Sequence, residues 1–317
     1  MFPFWDLLAA QGKESFVREF VKEKRQKKLT SRRKTICNRT SGNLAALDSD
    51  VEEITRLLSL QNEVQAIALG GSRASGKADD TSDYDIYVYL YTALDDNIRK
   101  QILSPFCQYM EIGNTYWETE DNCILLNGVC IDIIYRNSDN FIQGLIDVVE
   151  DGTSFNGYTT CMWQNAATSK IIYEENDYLT NAQNRFSVPY PEYLKNNIIK
   201  RNMNLLTYSV VSYDKQIKKS IHRQDMVNIN NRISAFLASY FDVIFALNEM
   251  QHPGEKHLME ICIEKCSLLP AKFEENIKAL FFYMGKDITK ITSIIESMIY
   301  ELNTSTKKLS NRAVVFK

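Results

Sequence analysis

A Gly-Gly-Ser turn at Gly70–Ser72 constrains this chain more than any other feature. It follows the apolar run Val64–Leu69 and precedes, after ten further residues, the sequence Asp83-Tyr84-Asp85. A short apolar run that meets two glycines reads as a buried strand feeding a tight turn. Asp83–Tyr91, rich in Tyr, Val and Ile, reads as a second strand. In an extended strand residues i and i+2 point the same way, so Asp83 and Asp85 are expected on one face and Tyr84 and Ile86 on the other. Two neighbouring carboxylates repel unless a cation lies between them. Mg²⁺ is commonly held by one or two carboxylates together with substrate phosphates, and successive backbone N–H groups in a turn suit a phosphate. The run therefore predicts a metal–nucleotide site.

Asp132 is the third acid of interest. It lies mid-strand in Val129–Tyr135, between Ile131 and Ile133, where an unpaired carboxylate is costly to bury. Beside a carboxylate pair on another strand it reads as a metal ligand or a general base. Glu111, Glu118 and Asp121 are nearby alternatives without apolar strand flanks. The backbone of Gly71 and Ser72, followed by a helix start around residues 73–76, is expected to hold the β and γ phosphates. Arg73 and Lys77 are candidate phosphate contacts through charge-assisted bonds.

Around this centre the chain alternates strand and helix. Leu47–Leu60 and Leu94–Leu103 read as helices, and Cys107–Ile112 and Cys123–Leu126 as further strands. Ahead of it, residues 5–30 have helical spacing and end in the basic run Lys22–Lys28; Leu29–Asn43 reads as a loop. From about Ser187 strand signals vanish, and Tyr193–Gln216, Asn228–Met250, Lys256–Leu268 and Phe273–Glu301 form helical patterns. The expected class is α+β: a mixed sheet with flanking helices, then an all-α bundle. The expected domains are a helical extension at 1–45, a catalytic domain at 46–186 and a substrate-binding domain at 187–317.

Composition excludes some classes. A net charge of −3 argues against sequence-independent nucleic-acid binding. Seven scattered cysteines with no Cys-x-x-Cys pair fit neither a disulfide framework nor a zinc site. His222, His252 and His257 lack a convincing metal-ligand spacing. The apolar start Met1–Ala10 carries Asp6 and lacks a basic lead and cleavage motif, and no apolar stretch has bilayer length. A soluble, cytoplasmic protein is expected.

Gly70-Gly71-Ser72, Asp83-Tyr84-Asp85 and Asp132 together resemble the nucleotidyltransferase superfamily that includes DNA polymerase β. The branches that transfer AMP to aminoglycosides or lincosamides are especially similar. Ser82-Asp83-Tyr84-Asp85 is close to the family's Ser-Asp-x-Asp. Arg73-Ala74-Ser75-Gly76 is similar to its Arg-Ala-Arg-Gly with one basic residue missing, for which Lys77 is a substitute. The resemblance covers roughly residues 60–140. It implies Mg²⁺-dependent transfer of a nucleoside monophosphate from ATP or another NTP, with two ions and release of pyrophosphate. By position it implies Asp83, Asp85 and Asp132 as metal ligands and catalytic acids. Gly71 and Ser72 are implied as the triphosphate turn.

The helical half resembles C-terminal domains of uncharacterised bacterial nucleotidyltransferases at His222–Asp225, Phe245–Asn248 and His252–Lys256. There Asp225, Glu255 or Lys256 faces the cleft, or else Asp225 is a helix cap or ion-pair partner and Pro253-Gly254 a helix-breaking turn. The expected acceptor is a hydroxyl of a small molecule such as an aminoglycoside or lincosamide. One alternative is a protein or tRNA acceptor, supported by the basic segment Lys22–Lys34. Another is a catalytically silent nucleotide-binding module.

Overall fold

A computed structural model describes residues 47–76 and 82–315 of the chain, with side chains described as far as residue 307. The N-terminal helix and loop expected before residue 46, the basic segment and Lys77 lie outside the described residues. Two compact units emerge. The first runs to Phe141 and takes in Thr168–Ala182; the second comprises Ile142–Ala167 and the chain from Gln183 onward.

The first unit is built on a six-stranded mixed sheet: Val64–Leu69 (β1), Tyr84–Leu90 (β2), Cys107–Asn114 (β3), Thr119–Leu125 (β4), Cys130–Asn137 (β5) and Lys170–Glu174 (β6). Their order across the sheet is β3-β4-β5-β2-β1-β6. Among the described strands only β2 and β5 run parallel; the other neighbours are antiparallel. Alternation decides the faces. Tyr84, Ile86, Val88 and Leu90 of β2 join Ile131, Ile133 and Tyr135 of β5 in one apolar core. Ser49–Ser59 (α1) and Asp96–Leu103 (α3) cover that face through Val51, Ile54, Leu58, Ile102 and Leu103. Asp48 caps α1 by accepting from the Asp50 N–H at 2.9 Å, as the first turn's unpaired donors require. Asp85, Tyr87 and Tyr89 alternate with the core residues and belong to the opposite face.

One polar knot lies within the core. Asp121 and Arg99 are both buried, and they form an ion pair. The Asp121 carboxylate also accepts from the Tyr135 hydroxyl and the Gly113 N–H, each at 2.8 Å. This use removes Asp121 from the alternatives to Asp132, because its strand neighbours Cys123 and Leu125 face the core. An Asp121→Ala variant leaves the buried Arg99 guanidinium with the largely exposed Asp96 as its remaining ion-pair partner among the described residues, and the expected cost in urea unfolding is about 1.5–3 kcal/mol. A cost below about 1 kcal/mol would show that the knot matters little.

The second unit is helical. Met226–Leu247 (α9 in chain order) is its centre. Before it come Ser138–Val149 (α4), inside which the first unit gives way to the second, Cys161–Thr168 (α5), Tyr178–Arg185 (α6), most of which belongs to the first unit and which ends in the second, Glu192–Met203 (α7) and Tyr213–His222 (α8). After it come Leu258–Lys265 (α10), Phe273–Met284 (α11) and Ile291–Val315 (α12). A helix apolar all round belongs in a core, and α9 is buried without interruption from Ser239 to Leu247. Asp225 is its N-cap, accepting from the Asn228 N–H at 3.1 Å, and Pro253-Gly254 lies in the break before α10. Both are the structural roles rather than the cleft-facing ones.

Two expected helices are each divided. The Tyr193–Gln216 pattern breaks at Ser209–Ser212, after a wide turn at Asn204–Tyr208, and Phe273–Glu301 breaks at Gly285–Asp287. Runs of Ser and β-branched Val, and a Gly followed by the capping Asp287, favour these breaks over continued helix. Among the described residues no helix is long and apolar enough to cross a membrane.

Two buried titratable groups in this unit oppose each other. The Asp242 carboxylate accepts from the N–H and hydroxyl of Thr159 and from Asn202, yet burial outweighs these bonds and pushes it up to about 6. His252, between the rings of Tyr158 and Phe245, is pushed down to about 4 by burial. Asp242, with a raised value, favours the fold most below its ordinary pKa of 3.8, an advantage lost as pH rises through about 6. His252, with a depressed value, favours the fold most above 6.5, an advantage lost as pH falls through about 4. The two slopes cancel between these limits. Asp242→Asn removes one of them, so the variant is expected to gain on the order of 2–3 kcal/mol relative to wild type between pH 4 and pH 6.5. A pH-independent difference in urea midpoints would refute this assignment.

Candidate active site

β1 delivers the chain to Gly70, whose N–H donates to the Asp85 carbonyl at 2.8 Å and so ties the turn to β2. Gly71–Ser75 (α2) follows at once, so the helical turn starts at Gly71 rather than at residues 73–76. Gly71 has φ +59°, a conformation that side chains resist. A Cβ there would lie 1.7 Å from Asp85 Oδ2, so the carboxylate nests directly over the glycine. A Cβ on Gly70 would lie 2.1 Å from the Tyr87 ring. Both glycines are thus required by what β2 places against them. The first N–H groups of a helical turn have no intrahelical partners, which leaves the Gly71–Ser72 backbone with donors to offer.

Arg73 is engaged with the backbone just ahead of β2. Its Nη2 donates to the Ser82 carbonyl at 2.6 Å, its Nε donates to the Ser82 and Asp83 carbonyls at 3.1 and 3.2 Å, and its guanidinium stands 4.0 Å over the Tyr84 ring. It braces the entry to β2. Asp83 is exposed immediately before that strand.

The parallel pairing of β2 with β5 sets Asp85 opposite Asp132 in register. These two expected acids are brought together across adjacent strands, although far apart in sequence. On the next strand Asn122 pairs with Asp132, and its amide donates to Asp132 Oδ1 at 2.8 Å. A row Asp85–Asp132–Asn122 thus crosses three strands.

Glu120, two positions from Asn122, belongs to the same face and is buried. Burial raises its pKa, with further increase from the charges of Asp132 and Glu118 and a partial offset from the Asn122 amide. Glu118 is committed to a bidentate pair with Arg136, both bonds at 2.7 Å, and Arg136 stands 4.3 Å over the Tyr87 ring. Sequence reasoning missed Glu120 and Asn122. Their signal was parity: they share the alternation of Glu118 on a strand too polar to stand out.

Among the described residues, no three His, Cys, Asp or Glu side chains come close enough to enclose a metal ion. The donor set offered is two register-paired carboxylates, hard oxygen ligands that leave a cation's remaining positions to other groups. That is an open site of the kind substrate phosphates complete.

Residues 52–116 match the family model described as polymerase beta nucleotidyltransferase. The chain carries a nucleotidyltransferase domain. The match takes in most of α1, then β1, the Gly-Gly-Ser turn, Asp83 and Asp85, and ends before Asp132. Among solved structures, the chain is similar to a nucleotidyltransferase-like protein from Exiguobacterium sibiricum at 12% identity and TM-score 0.40, covering 81% of this chain and 75% of that one. An aminoglycoside 6-adenyltransferase from Bacillus subtilis is 10% identical at TM-score 0.26, with 82% and 92% covered. The Thermotoga maritima CCA-adding enzyme complexed with tRNA is 11% identical at TM-score 0.24, with 87% and 84% covered. No curated relative matches the chain.

Proposed function

We propose that the nucleotidyltransferase domain moves a nucleoside monophosphate, AMP in the first instance, from Mg²⁺-NTP to a hydroxyl of a small molecule of the aminoglycoside or lincosamide kind, releasing pyrophosphate. The observation that carries this reading is the alignment of Asp85 with Asp132, with Asp85 held over Gly71 of the turn. In this reading the sheet unit is catalytic and the helical unit supplies acceptor contacts. The backbone N–H groups of Gly71 and Ser72 bind phosphate oxygens, and Asp83, Asp85 and Asp132 offer oxygens to the cation. When bound, the divalent cation neutralises charge on the attacking and leaving oxygens. The acceptor hydroxyl gives its proton to a carboxylate at Asp132, beside which Glu120 stands. The hydroxyl oxygen then attacks the α-phosphorus and the bond to the bridging oxygen of pyrophosphate breaks.

The acceptor preference follows from charge. Asp85, Glu111, Asp132 and Glu120 share one face of the sheet, where Arg136 is already paired with Glu118, and Asp83 is exposed just ahead of β2. Such a face draws cations, which suits an aminocyclitol better than an anionic acceptor. The test is full-length protein with Mg-ATP and an aminoglycoside and lincosamide panel, followed by pyrophosphate release and mass spectrometry. A gain of one nucleoside monophosphate on an acceptor supports the reading. No release with any acceptor, at any of the four NTPs, would sink it.

A further inference from the structure

The row of acids ends in a hydrogen-bond chain whose direction is determined from its far end. The Tyr116 backbone N–H, which can only donate, is accepted by Asn114 Oδ1 at 2.8 Å. Asn114 therefore turns its Nδ2 outward, and that group donates to Asn122 Oδ1 at 2.7 Å. With its oxygen so engaged, Asn122 presents its own Nδ2 to Asp132 Oδ1 at 2.8 Å. Reversing the Asn122 amide would set two oxygens against each other at Asp132 and two NH₂ groups against each other at Asn114. The β3–β4 hairpin thus fixes both the place and the polarity of the group that holds Asp132.

We propose that Asn122 is a positioning residue of the nucleotidyl-transfer centre. It holds one oxygen of Asp132 so that the other is turned to the cation beside Asp85, and Asn114 keeps the Asn122 amide facing the right way. The inference rests on the nucleotidyl-transfer reading of this site. Groups that orient a metal-binding carboxylate from behind typically contribute 10–100-fold to metal affinity or activity.

Asn122→Asp is the sharpest variant. It keeps size and the oxygen that accepts from Asn114, but sets an oxygen where Asp132 had a donor. Binding of α,β-methylene-ATP is measured by calorimetry with and without Mg²⁺, alongside pyrophosphate release in a Mg²⁺ titration and the thermal midpoint. The expected result is a loss of about 10-fold in the Mg²⁺-dependent part of analogue binding, with a rise of about 10-fold in half-saturating Mg²⁺. Turnover is expected to fall about 10–100-fold. Analogue binding without Mg²⁺ stays as in wild type.

Asn114→Asp keeps the acceptor for Tyr116 and sets an oxygen against Asn122 Oδ1 in place of the donor. It is expected to give a smaller loss of the same kind, which carries the test if Asn122→Asp misfolds. A folded Asn122→Asp or Asn114→Asp protein with wild-type Mg²⁺ dependence overturns the proposal and leaves the reading beneath it intact. Wild-type protein whose analogue binding ignores Mg²⁺, and is unchanged by Asp85→Asn, overturns both.

Discussion

Asp85→Asn is expected to cut nucleotidyl transfer by about 1,000-fold or more while leaving the fold at least as stable as wild type. The first half follows from charge. The variant withdraws one of the two register-paired carboxylates, and the charge stabilisation a divalent cation supplies is worth several kcal/mol, at about 1.4 kcal/mol per tenfold in rate. The second half follows from the same register. Like charges directly opposite on neighbouring strands destabilise a sheet. Removing one relieves that repulsion. Pyrophosphate release and a urea titration on the same preparation check both halves. Wild-type turnover in the variant would show that Asp85 does not hold the catalytic cation. A large loss of stability would mean that inactivity reports unfolding instead.

The second large effect is expected from Gly71→Ala. The new Cβ has to occupy a φ of +59°, a left-handed conformation costing about 1–2 kcal/mol, and it lands on Asp85 Oδ2. The carboxylate then has to turn away from the turn and from Asp132. Turnover is expected to drop about 100-fold or more, a barrier increase of about 3 kcal/mol, although no acid has been removed. Gly76→Ala is the control. It has φ +71° but no neighbour within 4 Å among the described residues, so it carries the backbone strain without displacing Asp85. Its activity is expected to stay within about threefold of wild type, well under 1 kcal/mol in barrier. Equal losses in the two variants would show that strain, not the Asp85 contact, sets the requirement for glycine.

The sheet was legible in sequence where side-chain period and turn chemistry agreed. Val64–Leu69 followed by two glycines, and the alternation from Tyr84 to Leu90, sufficed for two strands and for the face that Asp85 occupies. β4 was recognised only from Cys123 because its first half, Thr-Glu-Asp-Asn, has little strand propensity of its own. Pairing with both β3 and β5 holds it extended. The residues that sequence reasoning missed, Glu120 and Asn122, lie in that half. The alignment of Asp85 with Asp132 was likewise out of reach, because a strand pair's register depends on partners distant in the chain. In the helical unit, burial patterns identified the central helix, but short breaks at Ser209–Ser212 and Gly285–Asp287 carry too little local signal to divide a periodic run.

The parallel pairing of β2 with β5 has a consequence in time as well as in space. β1, the turn and β2 are close in sequence, so the Gly71–Asp85 contact can form early. Asp132 joins only when β5 comes back across β3 and β4, and contacts of long sequence separation bear the loop-closure entropy that slows folding. A chain caught midway would own the phosphate turn but not the paired acid. On the proposed mechanism, partly folded protein is expected to be inert toward nucleotide transfer, and the return of turnover during refolding is expected to clock the moment at which one strand pair closes.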